Sequence, residues 1–171
     1  MATRNIAYGT WTSMTVTNLQ SLANDATDPF TAWQSDRVDN QTSVKALDYE
    51  IRVHLPTAAT SPANDQAAYL YVVPWVYDGS TWAAGGNFGT TTLPTGSEGT
   101  ASVSDPNSMY LGRPMPYKVT SQVINGYFTL SSIIGGMTIP DGWSLAIRNC
   151  SGAALSTGCK VEYRPITETI A

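Results

Sequence analysis

The residues best suited to acid–base chemistry lie within residues 47–55. Asp48, Glu50, Arg52 and His54 alternate there with apolar residues. Alternation with a period of two predicts a strand that has one buried side and one solvent-facing side. His54 is the only histidine of the chain, so it could act as a surface acid or base but cannot belong to a metal site built from several histidines.

Asp48 and Glu50 face the same side of this strand, with Cα atoms about 7 Å apart from the strand rise. A pair of carboxylates could serve as the acid and base of a glycosidase. Solvated charges balanced by Arg52 are the simpler interpretation, because a working acid or base needs a pocket and an orienting partner. The same holds for His54. We therefore predict that the chain has no catalytic residue and is not an enzyme.

Motifs that bind cofactors or metals are not found in the sequence. It contains no Gly-x-Ser-x-Gly nucleophile motif, and the glycine-rich stretch at 79–99 contains no Gly-Lys-Ser/Thr for binding phosphate. Four loop aspartates lack the dense spacing of a calcium loop: Asp25, Asp28, Asp105 and Asp141. We therefore predict no cofactor and no metal.

Cys150 and Cys159 are the two cysteines, with eight residues between them. Two interpretations stay open: reduced thiols, as in most cytosolic proteins, or a disulfide across a hairpin formed by strands at 143–148 and 160–164. Because there is neither a second cysteine pair nor a nearby histidine, a zinc site is excluded.

Aromatic residues are the remaining candidates for binding. The chain has five tryptophans and nine tyrosines, and we expect most of them in the core. Trp82 lies in the glycine-rich stretch, where burial is least expected. Together with Trp75 and Tyr77 it forms a candidate surface for stacking on sugar rings or for contact with another protein.

The pattern of the whole chain predicts an all-β fold. About eight short strands separated by Gly- and Pro-containing turns indicate one domain, a jelly-roll-like antiparallel β-sandwich. Predicted strands cover residues 10–16, 32–38, 44–55, 68–77, 109–111, 118–123, 127–134, 143–148 and 160–164. Residues 1–9 are predicted to be an N-terminal arm, and residues 10–171 the sandwich domain, with a long Gly/Thr/Ser-rich loop at about 80–107.

Charge and hydropathy exclude two classes of partner. Only 13% of the residues are charged, the formal net charge is −4, and no run of Lys and Arg occurs, so we predict no nucleic-acid partner. No segment approaches the ~20 apolar residues of a membrane span. The first nine residues lack the apolar core of a signal peptide. We therefore predict synthesis in a cytoplasm and no membrane partner.

The order of several segments resembles small virion proteins of tailed bacteriophages that decorate or cement the head. These segments are Trp-Thr-Ser-Met-Thr-Val at 11–16, Trp-Gln-Ser-Asp-Arg-Val-Asp-Asn at 33–40, Leu-Asp-Tyr at 47–49, Gly-Arg-Pro-Met-Pro-Tyr at 112–117 and Ile-Ile-Gly-Gly-Met-Thr-Ile-Pro-Asp-Gly-Trp at 133–143. The resemblance covers most of the chain except residues 57–67.

This resemblance implies a non-enzymatic β-sandwich protein that is located in the virion and contacts the phage capsid protein. It also implies self-association, with a homotrimer as the natural state. Residues 80–107 and 1–9 are the predicted contact segments. The alternative is a carbohydrate-binding jelly-roll module or a receptor-binding part of a phage tail, in which Trp82, Trp75 and Tyr77 would stack on a glycan.

Overall fold

The computed structural model describes residues 4–27, 29–42, 44–57, 66–85, 95–103, 109–117 and 122–170. In chain order the strands are β1 (Arg4–Tyr8), β2 (Thr12–Ser13), β3 (Phe30–Gln34), β4 (Val38–Asp39), β5 (Asp48–Pro56), β6 (Gln66–Tyr77), β7 (Trp82–Ala84), β8 (Gly99–Val103), β9 (Tyr110–Leu111), β10 (Met115–Tyr117), β11 (Val123–Thr129), β12 (Gly142–Cys150) and β13 (Lys160–Ile170). One helix, α1 (Leu130–Ile133), follows β11.

The strands form two antiparallel sheets. Sheet A has the order β1-β13-β5-β11, and β2 adds to β13. Sheet B has the order β10-β6-β12-β3-β8, with β4 paired to β12 and both β7 and β9 paired to β6. The predicted all-β, antiparallel class is therefore confirmed.

The main hydrophobic core is shared by the two sheets. Strand β5 contributes Tyr49, Ile51, Val53 and Leu55, all buried, as its alternation predicts. Residues of β6 and β12 join them in one cluster, among them Leu70, Val72, Trp143, Leu145 and Ile147. The Trp143 ring is fully buried and meets Tyr49 edge to face at 5.1 Å.

Sheet B is also buried on its second face. A separate cluster there contains Phe30, Tyr71, Val73, Trp75 and Met109. The near-continuous apolar run of β6 fits this position, because a strand covered on both faces cannot alternate with polar residues.

The predicted last hairpin between residues 143–148 and 160–164 is wrong. Strand β12 pairs with β6 in sheet B, whereas β13 pairs with β5 in sheet A. The first six residues of β12 are all buried, which suits the middle of sheet B, whereas β13 has one face toward solvent. The cysteines therefore do not face each other across a hairpin, and both Cys150 and Cys159 are free thiols.

Other predicted elements differ locally from the structure. Residues 130–133 are helical rather than extended, because the Thr129 hydroxyl accepts a hydrogen bond from the Ser132 N–H and caps the turn. Leu47 lies before β5 and is 52% exposed, so the buried alternation begins at Tyr49. Only residues 12–13 of the predicted first strand are extended in a sheet.

Two stretches predicted to lack strands contain them. The predicted N-terminal arm includes β1, which pairs with β13. The predicted loop at 80–107 includes β7 and β8, which pair with β6 and β3. Residues 86–94 and 104–107 of that loop, and residues 118–121 of another predicted strand, lie outside the described residues.

Candidate functional site

The outer face of sheet A carries a group of arginine, aromatic and acidic side chains. We call this group the Arg–aromatic face; its members are Tyr8, Trp11, Glu50, Arg52, Tyr127, Glu162 and Arg164. They come from four strands and from the residue before β2. Sequence reasoning noted Glu50 and Arg52 among them as charges on a solvent-facing strand.

The register of sheet A brings these side chains together. Arg164 of β13 lies opposite Glu50 of β5, and Glu162 lies opposite Arg52. On the other side of β5, Tyr127 of β11 also lies opposite Arg52. Directly opposed residues on one face of an antiparallel pair are close enough for their side chains to interact. The face is thus set by strand pairing.

Trp11 is the centre of this face. The Arg52 guanidinium lies 4.2 Å from the Trp11 ring centroid, and that of Arg164 lies 4.8 Å from it. Arg164 also lies 4.9 Å from the ring of Tyr8. Tyr127 meets Trp11 edge to face, with ring centroids 6.4 Å apart. Cation–π attraction therefore holds one tryptophan between two arginines.

Each of these arginines is also paired with a carboxylate. Arg52 Nε donates to Glu162 at 2.6 Å, and Arg164 Nε donates to Glu50. The Tyr127 hydroxyl, and then Arg164, hold the pKa of Glu50 below its ordinary value. Arg52 lowers the pKa of Glu162 in the same way. The face therefore carries both signs of charge in fixed positions.

A cleft of about 360 Å³ adjoins the face, between β5, β11 and β13. It is lined by Arg52, Val53, His54, Asn125, Gly126, Tyr127, Lys160 and Glu162. His54 Nδ1 lies 2.8 Å from Asn125 Oδ1, so one ring nitrogen is already engaged. Tyr127 is 60% exposed at the edge of this cleft. The cleft therefore places polar side chains beside an exposed aromatic ring.

The two carboxylates considered as a glycosidase pair are engaged separately. The Asp48 carboxylate accepts hydrogen bonds from the N–H groups of Tyr49 and Ser131, at 2.8 and 3.0 Å. Glu50 is paired with Arg164. Asp48 therefore anchors the start of α1, whereas Glu50 belongs to the Arg–aromatic face.

The predicted stacking surface is not assembled as proposed from the sequence. Trp75 is only 3% exposed, and its ring N–H donates to the Ser144 hydroxyl at 2.9 Å. Trp75 therefore lies in the core of sheet B, apart from the exposed rings of the protein. Trp82 and Tyr77 are half-buried, with ring centroids 4.8 Å apart, and Arg37 covers the Trp82 ring at 4.1 Å.

Five members of the Arg–aromatic face were not identified as site residues from the sequence: Tyr8, Trp11, Tyr127, Glu162 and Arg164. Part of the signal was present, since Glu162 and Arg164 alternate with Val161 and Tyr163. That alternation predicts a solvent-facing side for β13. It does not predict which strands lie beside it.

Comparison of the chain with protein-family models, with curated proteins and with solved structures finds no match. Within the described ranges, no helix is long and apolar enough to cross a membrane. The same residues contain no cluster of three or more His, Cys, Asp or Glu side chains arranged to hold a metal ion.

Proposed function

We propose that the protein is a non-enzymatic structural component of a bacteriophage virion, which decorates or cements the capsid through protein–protein contacts. The Arg–aromatic face is the proposed contact with the capsid protein. The resemblance of the segments at 11–16, 33–40, 47–49, 112–117 and 133–143 to head decoration proteins supports the class of protein.

The composition of the Arg–aromatic face is the observation that carries this proposal. Tyrosine, tryptophan and arginine are the residues most enriched among those that dominate binding energy at protein interfaces. Five of the seven members of the face are of these types, and Tyr8 and Tyr127 are exposed. They project from a paired sheet, so little conformational entropy would be lost when a partner covers them.

The way in which such a protein would act follows from mass action. A protein that binds only the assembled capsid stabilises the assembled form, and many copies each contribute modest contacts. Jelly-roll connectivity of the two sheets, which the pattern of strands and turns predicts, belongs to this proposal. The homotrimeric state that the resemblance implies also belongs to it. The virion location is part of it as well.

Co-sedimentation with expanded, undecorated phage heads tests the proposal. The wild-type chain is expected to pellet with heads at a fixed stoichiometry. Tyr127→Ala should reduce pelleting at least about tenfold, because removing an aromatic residue that dominates binding at an interface costs about 2 kcal/mol or more. Val76→Ala is the matched control, since Val76 is also a large exposed apolar residue but lies in β6 of sheet B.

The alternative is that the same region binds a glycan. The exposed Tyr127 ring beside the polar cleft of Asn125, His54 and Lys160 favours it, because sugars bind through ring stacking together with hydrogen bonds. Retention on a polysaccharide resin that is lost in Tyr127→Ala, together with failure to pellet with heads, would support this alternative and reject the capsid proposal.

A further inference from the structure

Strand β1 is an open edge of sheet A. Within the described part of the chain, β13 is the only strand that pairs with it. Its residues Arg4, Ile6 and Tyr8 are exposed, and the side chains of Ile6 and Tyr8 are each 58% exposed. An edge strand without proline, lysine or a bulge is a template for pairing with another strand.

The register identifies which main-chain groups of β1 face outward. The Gly9 N–H donates to the Pro165 carbonyl oxygen at 2.8 Å. Gly9 and Pro165 continue the antiparallel register in which Ala7 lies opposite Thr167 and Asn5 opposite Thr169. In such a pair every second residue bonds its neighbour and the residues between point away. The N–H and C=O groups of Arg4, Ile6 and Tyr8 therefore face the open edge.

We propose that a second copy of this chain docks on this edge, with the two β1 strands antiparallel about a two-fold axis that passes beside Ile6. In this register Ile6 lies opposite Ile6 of the second copy, and Arg4 lies opposite Tyr8 of the second copy. All three outward-facing residues then form hydrogen-bonded pairs, with roughly six main-chain hydrogen bonds in total.

The side chains of β1 match this register. Arg4 lies opposite Tyr8 of the other copy on each side of the axis, which allows two cation–π contacts related by symmetry. Arg4 also pairs with Glu168 of its own chain at 3.4 Å. The axis itself passes between two apolar isoleucine side chains. On the opposite face Asn5 lies beside Ala7 of the second copy, so no like charges are opposed anywhere along the pair.

Other antiparallel registers are less favourable. A shift by one residue places outward-facing groups opposite inward-facing ones and removes the hydrogen bonds. A shift by two residues keeps the alternation but leaves one of the outward-facing residues without a partner within β1. The sequence Arg-Asn-Ile-Ala-Tyr is thus most complementary to itself when centred on Ile6.

The paired strands would join two copies of sheet A into one continuous sheet. Tyr8 belongs to the Arg–aromatic face, so this face would extend across the two-fold axis onto the second copy. The argument rests on the edge of β1 alone and does not depend on the proposed capsid role. It predicts a pair of chains about a two-fold axis instead of the homotrimer that the resemblance implies, and the mass in solution distinguishes the two.

The residue on the axis allows a charge-swap experiment. Sedimentation equilibrium over a concentration series that reaches the millimolar range should show wild-type mass rising toward two chains. Ile6→Lys and Ile6→Glu, each alone, place like charges opposite one another and should weaken self-association at least about tenfold. An equimolar mixture of the two variants should restore a species of two chains.

Leu111→Lys is the control, because Leu111 is as exposed as Ile6 but lies in β9 of sheet B; it should self-associate like the wild type. If the mixture of the two variants restores the species of two chains, residue 6 of one copy contacts residue 6 of the other. Variants that had lost their fold could not restore this association when mixed. A wild-type chain that stays monomeric throughout, or variants that associate like the wild type, would overturn the inference. A particle of three chains unaffected by either variant would also overturn it.

Discussion

The side chain of Asn149 offers the sharpest test of the contacts that join the segment after β2 to the end of β12. It is fully buried. Its amide nitrogen donates to the carbonyl oxygens of Leu22 and Ala153, at 3.0 and 2.8 Å. Its amide oxygen accepts from the Ser151 N–H at 3.1 Å. One side chain thus connects the segment after β2, the end of β12 and the loop that follows.

The cost of Asn149→Ala can be worked from these three bonds. The Leu22 oxygen keeps a second donor, the Leu155 N–H at 3.0 Å, and the Ala153 oxygen keeps the Ser151 hydroxyl at 2.8 Å. The buried Ser151 N–H loses its acceptor, which costs about 1–3 kcal/mol, and the two weakened carbonyls add roughly 1 kcal/mol. We expect a total loss of about 3 kcal/mol in the free energy of unfolding.

Urea unfolding followed by tryptophan fluorescence measures this loss, since Trp33 and Trp143 are fully buried. For a domain of this size a loss of about 3 kcal/mol lowers the Tm by roughly 6–12 °C. Asn125→Ala is the matched control, because Asn125 is exposed and, among the described residues, its side-chain hydrogen bond is to His54. It should change stability by less than about 0.5 kcal/mol.

A second substitution separates hydrogen bonding from loss of volume. Asn149→Asp keeps the size but places a carboxylate against two carbonyl oxygens, so it should be less stable than Asn149→Ala at neutral pH. Because protonation restores a donor, its deficit should shrink as the pH falls. If Asn149→Ala lost less than about 1 kcal/mol, or Asn149→Asp matched the wild type at neutral pH, the described contacts of this side chain would be incorrect.

Three further perturbations have defined outcomes. The pKa of Glu50 is lowered in the folded protein, so its carboxylate stabilises the fold fully above the ordinary pKa of a glutamate. This stabilisation is lost as the pH falls through the folded-state pKa, so Glu50→Gln should be less stable than the wild type in urea at pH 7 and equally stable in acid. A difference that does not change with pH would contradict the pairing with Arg164. Burial raises the pKa of the Cys159 thiol to about 11, so this thiol should react slowly with a thiol reagent in the folded protein. Both cysteines should react after unfolding. Fewer than two reactive thiols in the unfolded, unreduced chain would indicate a disulfide. A Cβ on Gly142 would lie 2.7 Å from the Trp82 ring and 3.1 Å from the Val38 carbonyl oxygen. Gly142→Ala should therefore lower the free energy of unfolding by about 1–3 kcal/mol and shift the tryptophan emission. Gly99→Ala is the control and should do neither, because the nearest neighbour of a Cβ there lies at 3.8 Å.

Local periodicity predicted the strands of this chain better than their partners. The alternation of residues 47–55 predicted most of β5 and its buried side, because side-chain direction in a strand depends on the backbone alone. The predicted start at residue 44 was too early, since β5 begins at Asp48. The apolar run at 68–77 likewise predicted a strand, which the structure shows as β6. Neither pattern contains information about which strand lies alongside.

The incorrect hairpin shows where this limit matters. Residues 143–148 and 160–164 follow one another in sequence, and neighbouring strands usually pair. Yet the outer positions of β12 carry the small residues Ser144 and Ala146 and a single charge at Arg148, whereas β13 has charged residues at every second position from Lys160 to Arg164. This difference in periodicity was available in the sequence, and it separates a strand in the middle of a covered sheet from a strand with a solvent-facing side.

The Arg–aromatic face could not be predicted in the same way, because it is a consequence of register. Trp11 is placed between Arg52 and Arg164 only because β2 and β5 both pair with β13 in fixed alignments. If β13 slipped by one residue against β5, Glu162 and Arg164 would turn inward and Val161 and Tyr163 outward. The buried contacts of Tyr163 with Tyr49 and Trp143 oppose this slip. The core on one side of sheet A therefore holds in place the surface on its other side through which we propose that the protein binds.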